Sequence, residues 1–197
     1  MSDAIRVGLI GYGYASKTFH APLISGTPGM ALSAVVSSDA QKVLADWPAT
    51  QVVASANSLF ADPDIDLIVI PTPNDTHFPL ARAALEAGKH VIVDKPFTVT
   101  LSQARELDAI ARSRGRLLSV FHNRRWDSDF LTLKALIAAG ELGEVSYFES
   151  HFDRYRPQIR DRWRELGGPG SGIWYDLGPH LLDQAVNLFG LPVSIAV

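Results

Sequence analysis

The sequence contains no cysteine. Disulfides, zinc–thiolate sites and cysteine nucleophiles are excluded together. It also lacks a long apolar run, and its longest apolar stretches fall far short of the ~20 residues that cross a membrane. A basic excess is missing too. Its 18 Lys and Arg face 21 Asp and Glu, for a formal net charge of −3. A duplex nucleic-acid binder carries a strong positive surplus, so that class is disfavoured. The start, Met1-Ser2-Asp3-Ala4-Ile5-Arg6-Val7, has no charged-then-apolar layout of a signal peptide. No internal repeat and no low-complexity tract interrupts the chain. These absences lead to the expectation of a soluble cytoplasmic protein with neither a membrane nor a nucleic-acid partner. What remains is globular: 47% hydrophobic and 20% charged residues over 197 positions exclude a disordered or fibrous chain. That length suits one or two domains and buries about 70% of the unfolded surface, so no staple is needed.

Apolar runs alternate with helical patterns at short intervals. Strands are predicted at 5–10, 31–36, 52–53, 67–70, 90–93 and 117–121. Helices are predicted at 17–25, 40–47, 58–61, 75–87 and 102–114, with Asp75 as an N-cap and Gly88 and Gly115 as stops. Pro22 fits its helix only in a first turn or at a kink. The strands are apolar along their length rather than alternating, which marks a parallel sheet covered on both faces. Residues 1–122 therefore read as a Rossmann-type, doubly wound α/β domain. The pattern then changes. A helix is expected at 130–139, an alternating, half-buried antiparallel strand at 145–152, a polar loop over 154–172 and a helix at 173–189 despite Pro179. A β-prone run starts at 194. One readable strand and two helices do not make a self-sufficient sheet domain. Residues 123–197 are thus expected to be the first part of a truncated α+β substrate domain.

Several motifs carry chemistry. Gly11-Tyr12-Gly13-Tyr14-Ala15-Ser16 follows the first strand and opens a helix. A glycine turn there lets backbone N–H groups reach a pyrophosphate, with Gly11, Gly13, Tyr14 and Ala15 as candidate contacts; a glycine turn without a ligand is the alternative. The second strand ends in Ser37-Ser38-Asp39, with Lys42 beyond. Two hydroxyls and a lysine suit a ribose 2′-phosphate, so NADP is favoured over NAD; Ser38 or Asp39 could instead cap the next helix. Pro71-Thr72-Pro73-Asn74-Asp75-Thr76-His77 lies at the carboxyl end of the sheet, where Thr72 and Asn74 could line a cofactor and His77 reads as structural. Lys95, in Asp94-Lys95-Pro96, follows an apolar strand and could donate to a substrate oxygen. Asp176 and His180 are four apart on a helix, a spacing that lets a carboxylate orient an imidazole. His122-Asn123-Arg124-Arg125-Trp126-Asp127 lies at the junction of the two parts. The arginines 154, 156, 160, 162 and 164 alternate with Asp153, Asp161 and Glu165 and read as a salt-linked loop. No histidine, aspartate and glutamate spacing suggests a metal site.

Together these residues resemble the glucose–fructose oxidoreductase, inositol dehydrogenase and rhizopine-catabolism family (Gfo/Idh/MocA). The likeness rests on the glycine turn, Pro71 to His77, Ala87-Gly88-Lys89-His90-Val91, Asp94-Lys95-Pro96, Asn123-Arg124-Arg125 and Asp176-Leu177-Gly178-Pro179-His180. It is nearest the NADP-dependent scyllo-inositol dehydrogenase-like branch. The family motif is Glu-Lys-Pro where this chain has Asp-Lys-Pro. The resemblance implies a nicotinamide-dependent oxidoreductase acting on a sugar or cyclic polyol, with NADP or NAD as cofactor. It places the catalytic lysine at Lys95 and the acid–base pair at Asp176 and His180, and it adds Pro96, Asn123 and Arg124 to the cofactor contacts. It also implies a homo-oligomer in the full-length protein. The alternatives are a non-catalytic NAD(P)-binding regulator and an inactive fragment of the dehydrogenase.

Overall fold

The computed structural model describes residues 4–153, 155, 157, 158, 165 and 167–196. The chain divides into two compact units, Met1–Phe121 and His122–Val197.

In the first unit six strands form one parallel sheet in the order β3-β2-β1-β4-β5-β6. They are β1 (Ile5–Ile10), β2 (Met30–Val36), β3 (Gln51–Val53), β4 (Leu67–Ile70), β5 (His90–Asp94) and β6 (Leu118–Phe121). The helices between them are α1 (Ala21–Gly26), α2 (Ala40–Asp46), α3 (Ala56–Ala61), α4 (Asn74–Glu86) and α5 (Leu101–Arg114). This is the doubly wound order, with the strand sequence reversing beside β1. Side chains alternate across a strand, and the core follows that alternation. Ile68 and Ile70 of β4 join Leu59, Leu85, Val93 and Leu107 in one buried cluster. Leu67 and Val69 join Val7, Leu9, Val35 and Val43 in the other. All four β4 residues are buried, which accounts for the unbroken apolar run. Each such side chain contributes about 1.5–3 kcal/mol relative to exposure. Gly8 sits where the β1–β2 register shifts, and a Cβ there would lie 2.9 Å from Leu59 Cδ1.

Local chemistry sets the helix ends. The helix after the glycine turn is wound as a π turn over Ser16–His20 before α1, and Pro22 stands in the first turn of α1. Proline lacks the N–H of a regular turn, so the wider turn absorbs it. The expected cap of α4 is corrected. Asn74 starts the helix behind Pro73, whose ψ of 145° supplies the extended entry, and Asp75 lies inside the first turn. Thr100 and Gln103 form a reciprocal capping box on α5. Gly88 (φ +79°) and Gly115 (φ +62°) end α4 and α5 in the left-handed region.

The second unit contains a 3₁₀ turn (Asn123–Trp126), α6 (Ser128–Ala138) and α7 (Ile173–Phe189), with Pro179 inside α7. The strand expected at 145–152 is not formed. Its alternation survives in burial, since Phe148, Ser150 and Phe152 are half-buried while their neighbours are exposed. Phe148 packs on Phe189 with centroids 5.2 Å apart. A strand is defined by its hydrogen-bonded ladder, and among the described residues no segment forms one with 145–152. Residues 194–196 likewise form no strand. Arg154, Arg156, Arg160, Asp161, Arg162 and Arg164 lie outside the described residues, as does Val197.

Candidate functional site

In the first unit the candidate residues collect at the carboxyl ends of the strands. Gly11 follows β1 with φ +89°, a conformation glycine adopts without steric cost. Its N–H donates to Val36 O at 2.9 Å, so the turn is tied to the end of β2. Ser16 Oγ donates back to Gly11 O at 2.8 Å. Gly13 is exposed, with open space where a Cβ would stand. Tyr14 is 77% exposed and meets Phe19 edge-on at 6.0 Å. Ala15 is half-buried beside it. An open backbone turn with a left-handed glycine is the cradle a pyrophosphate requires, so the residues present fit a dinucleotide.

Tyr12, between the glycines, is buried and donates from Oη to Asp46 Oδ2 at 2.8 Å. Lys17 Nζ pairs with the same carboxylate, 2.8 Å from Oδ2. Burial, then Asp46, pushes the Tyr12 phenol up to about 12. The Lys17 and Tyr12 bonds hold the Asp46 carboxyl below the usual range. Nothing in the spacing of 12, 17 and 46 announces this anchor, because it joins the glycine turn to the far end of α2.

At the tip of β2, Ser37 Oγ accepts from Asp39 N–H at 3.1 Å and donates to Asp39 O at 3.0 Å. Asp39 Oδ1 accepts from Lys42 N–H at 3.0 Å. Asp39 is therefore the N-cap of α2, the alternative weighed for it in the sequence. Ser38 is exposed beside it.

The loops after β4 and β5 are joined by His77, which is fully buried. Nδ1 lies 2.8 Å from Pro96 O and Nε2 lies 2.9 Å from Thr72 O. Burial, the largest influence, pulls this imidazole below the ordinary histidine range, against the two carbonyls and the charge of Asp94. A neutral ring has one N–H, so one carbonyl accepts it and the other is a contact. Thr76 donates to Pro73 O at 2.7 Å, which leaves Thr72 to donate to Thr76 Oγ1 at 2.6 Å. Asn74 is buried at the start of α4. Thr72, Asn74, Lys95 and Pro96 are thus brought together around one histidine.

Lys95 is half-buried and its bond to Pro96 is cis. The Lys95 N–H donates to Asp94 Oδ1 at 2.8 Å. Asp94 Oδ2 stands 3.7 Å from His20 Nε2, an ion-pair distance longer than a hydrogen bond. Burial raises the Asp94 carboxyl, but His20 and Lys95 outweigh it and hold it below the usual range.

In the second unit Asn123 opens the 3₁₀ turn. Arg124 pairs with Asp127 at 2.8 Å and lies over the Phe152 ring, 5.8 Å from its centroid. The Phe152 ring is 6.2 Å from the His180 ring. His180 is 5% exposed, and Asp176 is half-buried one turn earlier on α7. Gln184 Nε2 donates to Arg124 O at 3.1 Å. Arg125 grips Asp183 with two bonds, Nε to Oδ2 at 2.8 Å and NH2 to Oδ1 at 2.6 Å. This unit brings together Arg124, His180 and Gln184, with Asp176 on the same helix. The Arg125–Asp183 pairing escapes sequence reasoning because 58 residues separate its partners. Among the described residues no group of three or more His, Asp or Glu could hold a metal, and no helix is long and apolar enough to cross a membrane.

Comparison with known proteins gives two family matches. Residues 5–122 match the oxidoreductase family with NAD-binding Rossmann fold, and residues 130–197 match the GFO/IDH/MocA C-terminal domain. The uncharacterized oxidoreductase YdgJ of Escherichia coli (strain K12) is 80% identical over 197 residues, which are 100% of this chain and 57% of YdgJ. The scyllo-inositol 2-dehydrogenase (NADP(+)) IolW of Bacillus subtilis (strain 168) is 40% identical over 98% of this chain and 54% of IolW. The structure of YPO2259 from Yersinia pestis is 73% identical with a TM-score of 0.91, covering 98% of this chain and 54% of that one. The chain thus spans about half the length of the curated relatives it matches.

Proposed function

Because the chain belongs to the GFO/IDH/MocA oxidoreductase family, we propose that the full-length protein moves a hydride between a nicotinamide cofactor and a hydroxyl or ketone carbon of a sugar or cyclic polyol. The observation that carries this reading is that His77 joins the loops after β4 and β5, meeting Thr72 O on one and Pro96 O, next to Lys95, on the other, at the carboxyl edge of a nucleotide-binding sheet. Ligands of open α/β sheets bind at that edge. The bound nicotinamide supplies or takes up the hydride. Gly11, Gly13, Tyr14 and Ala15 would hold its pyrophosphate, and Thr72, Asn74, Pro96, Asn123 and Arg124 are the further cofactor contacts that the family likeness implies. His180 takes the proton from the substrate hydroxyl as the carbon is oxidised, and returns it when the ketone is reduced. Asp176 orients that imidazole. Lys95 polarises the reacting oxygen.

The cofactor is NADP rather than NAD in this reading. A carboxylate at the tip of β2 would receive a ribose 2′-hydroxyl, but Asp39 is occupied as the cap of α2. Ser38 and the cationic Lys42 remain for a 2′-phosphate, while the Ser37 hydroxyl proton is donated to Asp39 O. The substrate is of inositol type, which rests on the likeness to IolW. The full-length protein is a cytoplasmic homo-oligomer.

A panel of inositols, aldoses and ketoses assayed with each cofactor tests the reading. NADP-dependent turnover of a cyclic polyol is expected. Replacing Lys95 with Met in the full-length protein should abolish turnover while NADPH still binds. Turnover that survives this change removes Lys95 from the mechanism, and a strong NAD preference overturns the cofactor assignment.

A further inference from the structure

We infer that His20 is a positioning residue for Lys95, acting through the Asp94 carboxylate; the inference rests on the role given to Lys95 above. His20 belongs to the π turn that follows the glycine turn, and it is 4% exposed. Its ring lies against Phe121 at the end of β6, with centroids 4.3 Å apart and planes inclined by 46°. Its Nε2 has no hydrogen-bond partner among the described residues and faces Asp94 Oδ2 at 3.7 Å. A phenyl ring would fill the same space against Phe121 with no polar atom to desolvate. Burying an imidazole nitrogen without a hydrogen bond is costly, so its place opposite a carboxylate needs a reason.

Asp94 supplies one. Its two oxygens are divided: Oδ1 receives the Lys95 N–H at 2.8 Å and Oδ2 looks toward His20. The groups whose charge bears on this carboxylate are His20 from the π turn, Lys95 from the end of β5 and His77 from α4. Without His20 the carboxylate is free to turn about its side-chain bonds, and its hold on the backbone of Lys95 goes with it. Displacement of a reacting group by a fraction of an ångström lowers turnover without weakening binding.

The test compares His20→Phe, His20→Asn, Asp94→Asn, the double variant His20→Phe/Asp94→Asn and Lys95→Met in the full-length protein with its cofactor. His20→Phe keeps the ring on Phe121 and removes only the polar partner. We expect kcat to fall about tenfold or more, with substrate KM and NADPH Kd within about twofold, the pattern of a lost positioning contact. His20→Asn, which can still donate to Asp94, should recover part of the loss. The double variant should be no slower than Asp94→Asn alone. Parental kcat in His20→Phe, or losses that multiply in the double variant, overturns the inference while Lys95→Met is inactive. Turnover that survives Lys95→Met removes Lys95 from the mechanism and this inference with it, whereas a parent that turns over no sugar or polyol with either cofactor overturns the proposed function. Should His20→Phe fail to fold, His20→Leu, which also removes the polar partner, decides, and a parental kcat with parental pH profile in it refutes the positioning role.

Discussion

The phenol of Tyr12 donates a 2.8 Å hydrogen bond to Asp46 Oδ2 and so fastens the glycine turn to the end of α2. Lys17 completes the cluster from the π turn. Tyr12→Phe removes one bond to an ionised acceptor and leaves Asp46 paired with Lys17. The stability loss should be about 1–2 kcal/mol, at the lower end for a charge-assisted bond because Asp46 retains a partner. NADPH should bind several-fold more weakly, since the turn loses one of its fixings. Denaturant unfolding and cofactor fluorescence titration read both quantities. An unaltered NADPH affinity would show that the bonds of Gly11 to Val36 and Ser16 suffice to hold the turn.

Arg125 and Asp183 make the corresponding fixing in the second unit. The Asp183 side chain is only 10% exposed, whereas that of Arg125 is 45% exposed. Removing the arginine leaves a shielded carboxylate short of its main partner, with His122 Nδ1 at 3.8 Å. Arg125→Ala should cost about 1–2 kcal/mol, between the values for exposed and buried pairs. Arg125→Lys should recover only part of it, because an ammonium cannot supply the two-pronged geometry. Equal stability of the Ala and Lys variants would show that the fork itself contributes nothing.

Gly8 tests the packing of the sheet. An added methyl group would meet Leu59 Cδ1 at 2.9 Å, Ile68 Cδ1 at 3.1 Å and Ile65 Cγ2 at 3.3 Å. These three side chains are themselves enclosed, so they have little room to retreat. Gly8→Ala should destabilise the first unit by about 1–3 kcal/mol, the usual cost of overpacking. A stability gain from reduced chain entropy alone would contradict that crowding.

The first unit was legible because its signals are local. Unbroken apolar runs such as 67–70, glycines at helix ends and the turn after β1 each follow from a few neighbouring residues. The cap of α4 lies two residues before the expected Asp75, since Pro73 sets the entry through its backbone rather than through an acidic side chain. Alternation at 145–152 points to a half-buried strand and none forms, because a ladder needs a second segment that sequence periodicity cannot supply. His20, Tyr12 with Asp46, and Arg125 with Asp183 were illegible for the same reason. Their meaning comes from partners tens of residues away, brought close only by the fold.

His77 offers a pH test with opposite signs for its two protonation states. Its ring faces two carbonyl oxygens, an arrangement that would suit a cation, yet burial is the larger effect and lowers its pKa from the ordinary 6.5. The unfolded chain then binds a proton near pH 6.5 that the folded chain refuses. The resulting stability is complete above about pH 6.5 and is lost as pH falls through that value toward the folded-state pKa, at up to about 1.4 kcal/mol per pH unit. Urea unfolding at several pH values between 7.5 and 5 should show this decline in the parent. His77→Gln should be less stable at pH 7.5, having lost the link between Thr72 and Pro96, and should show a shallower decline. A parent that grows more stable as pH falls through this range would mean that the two carbonyls hold an imidazolium in the core.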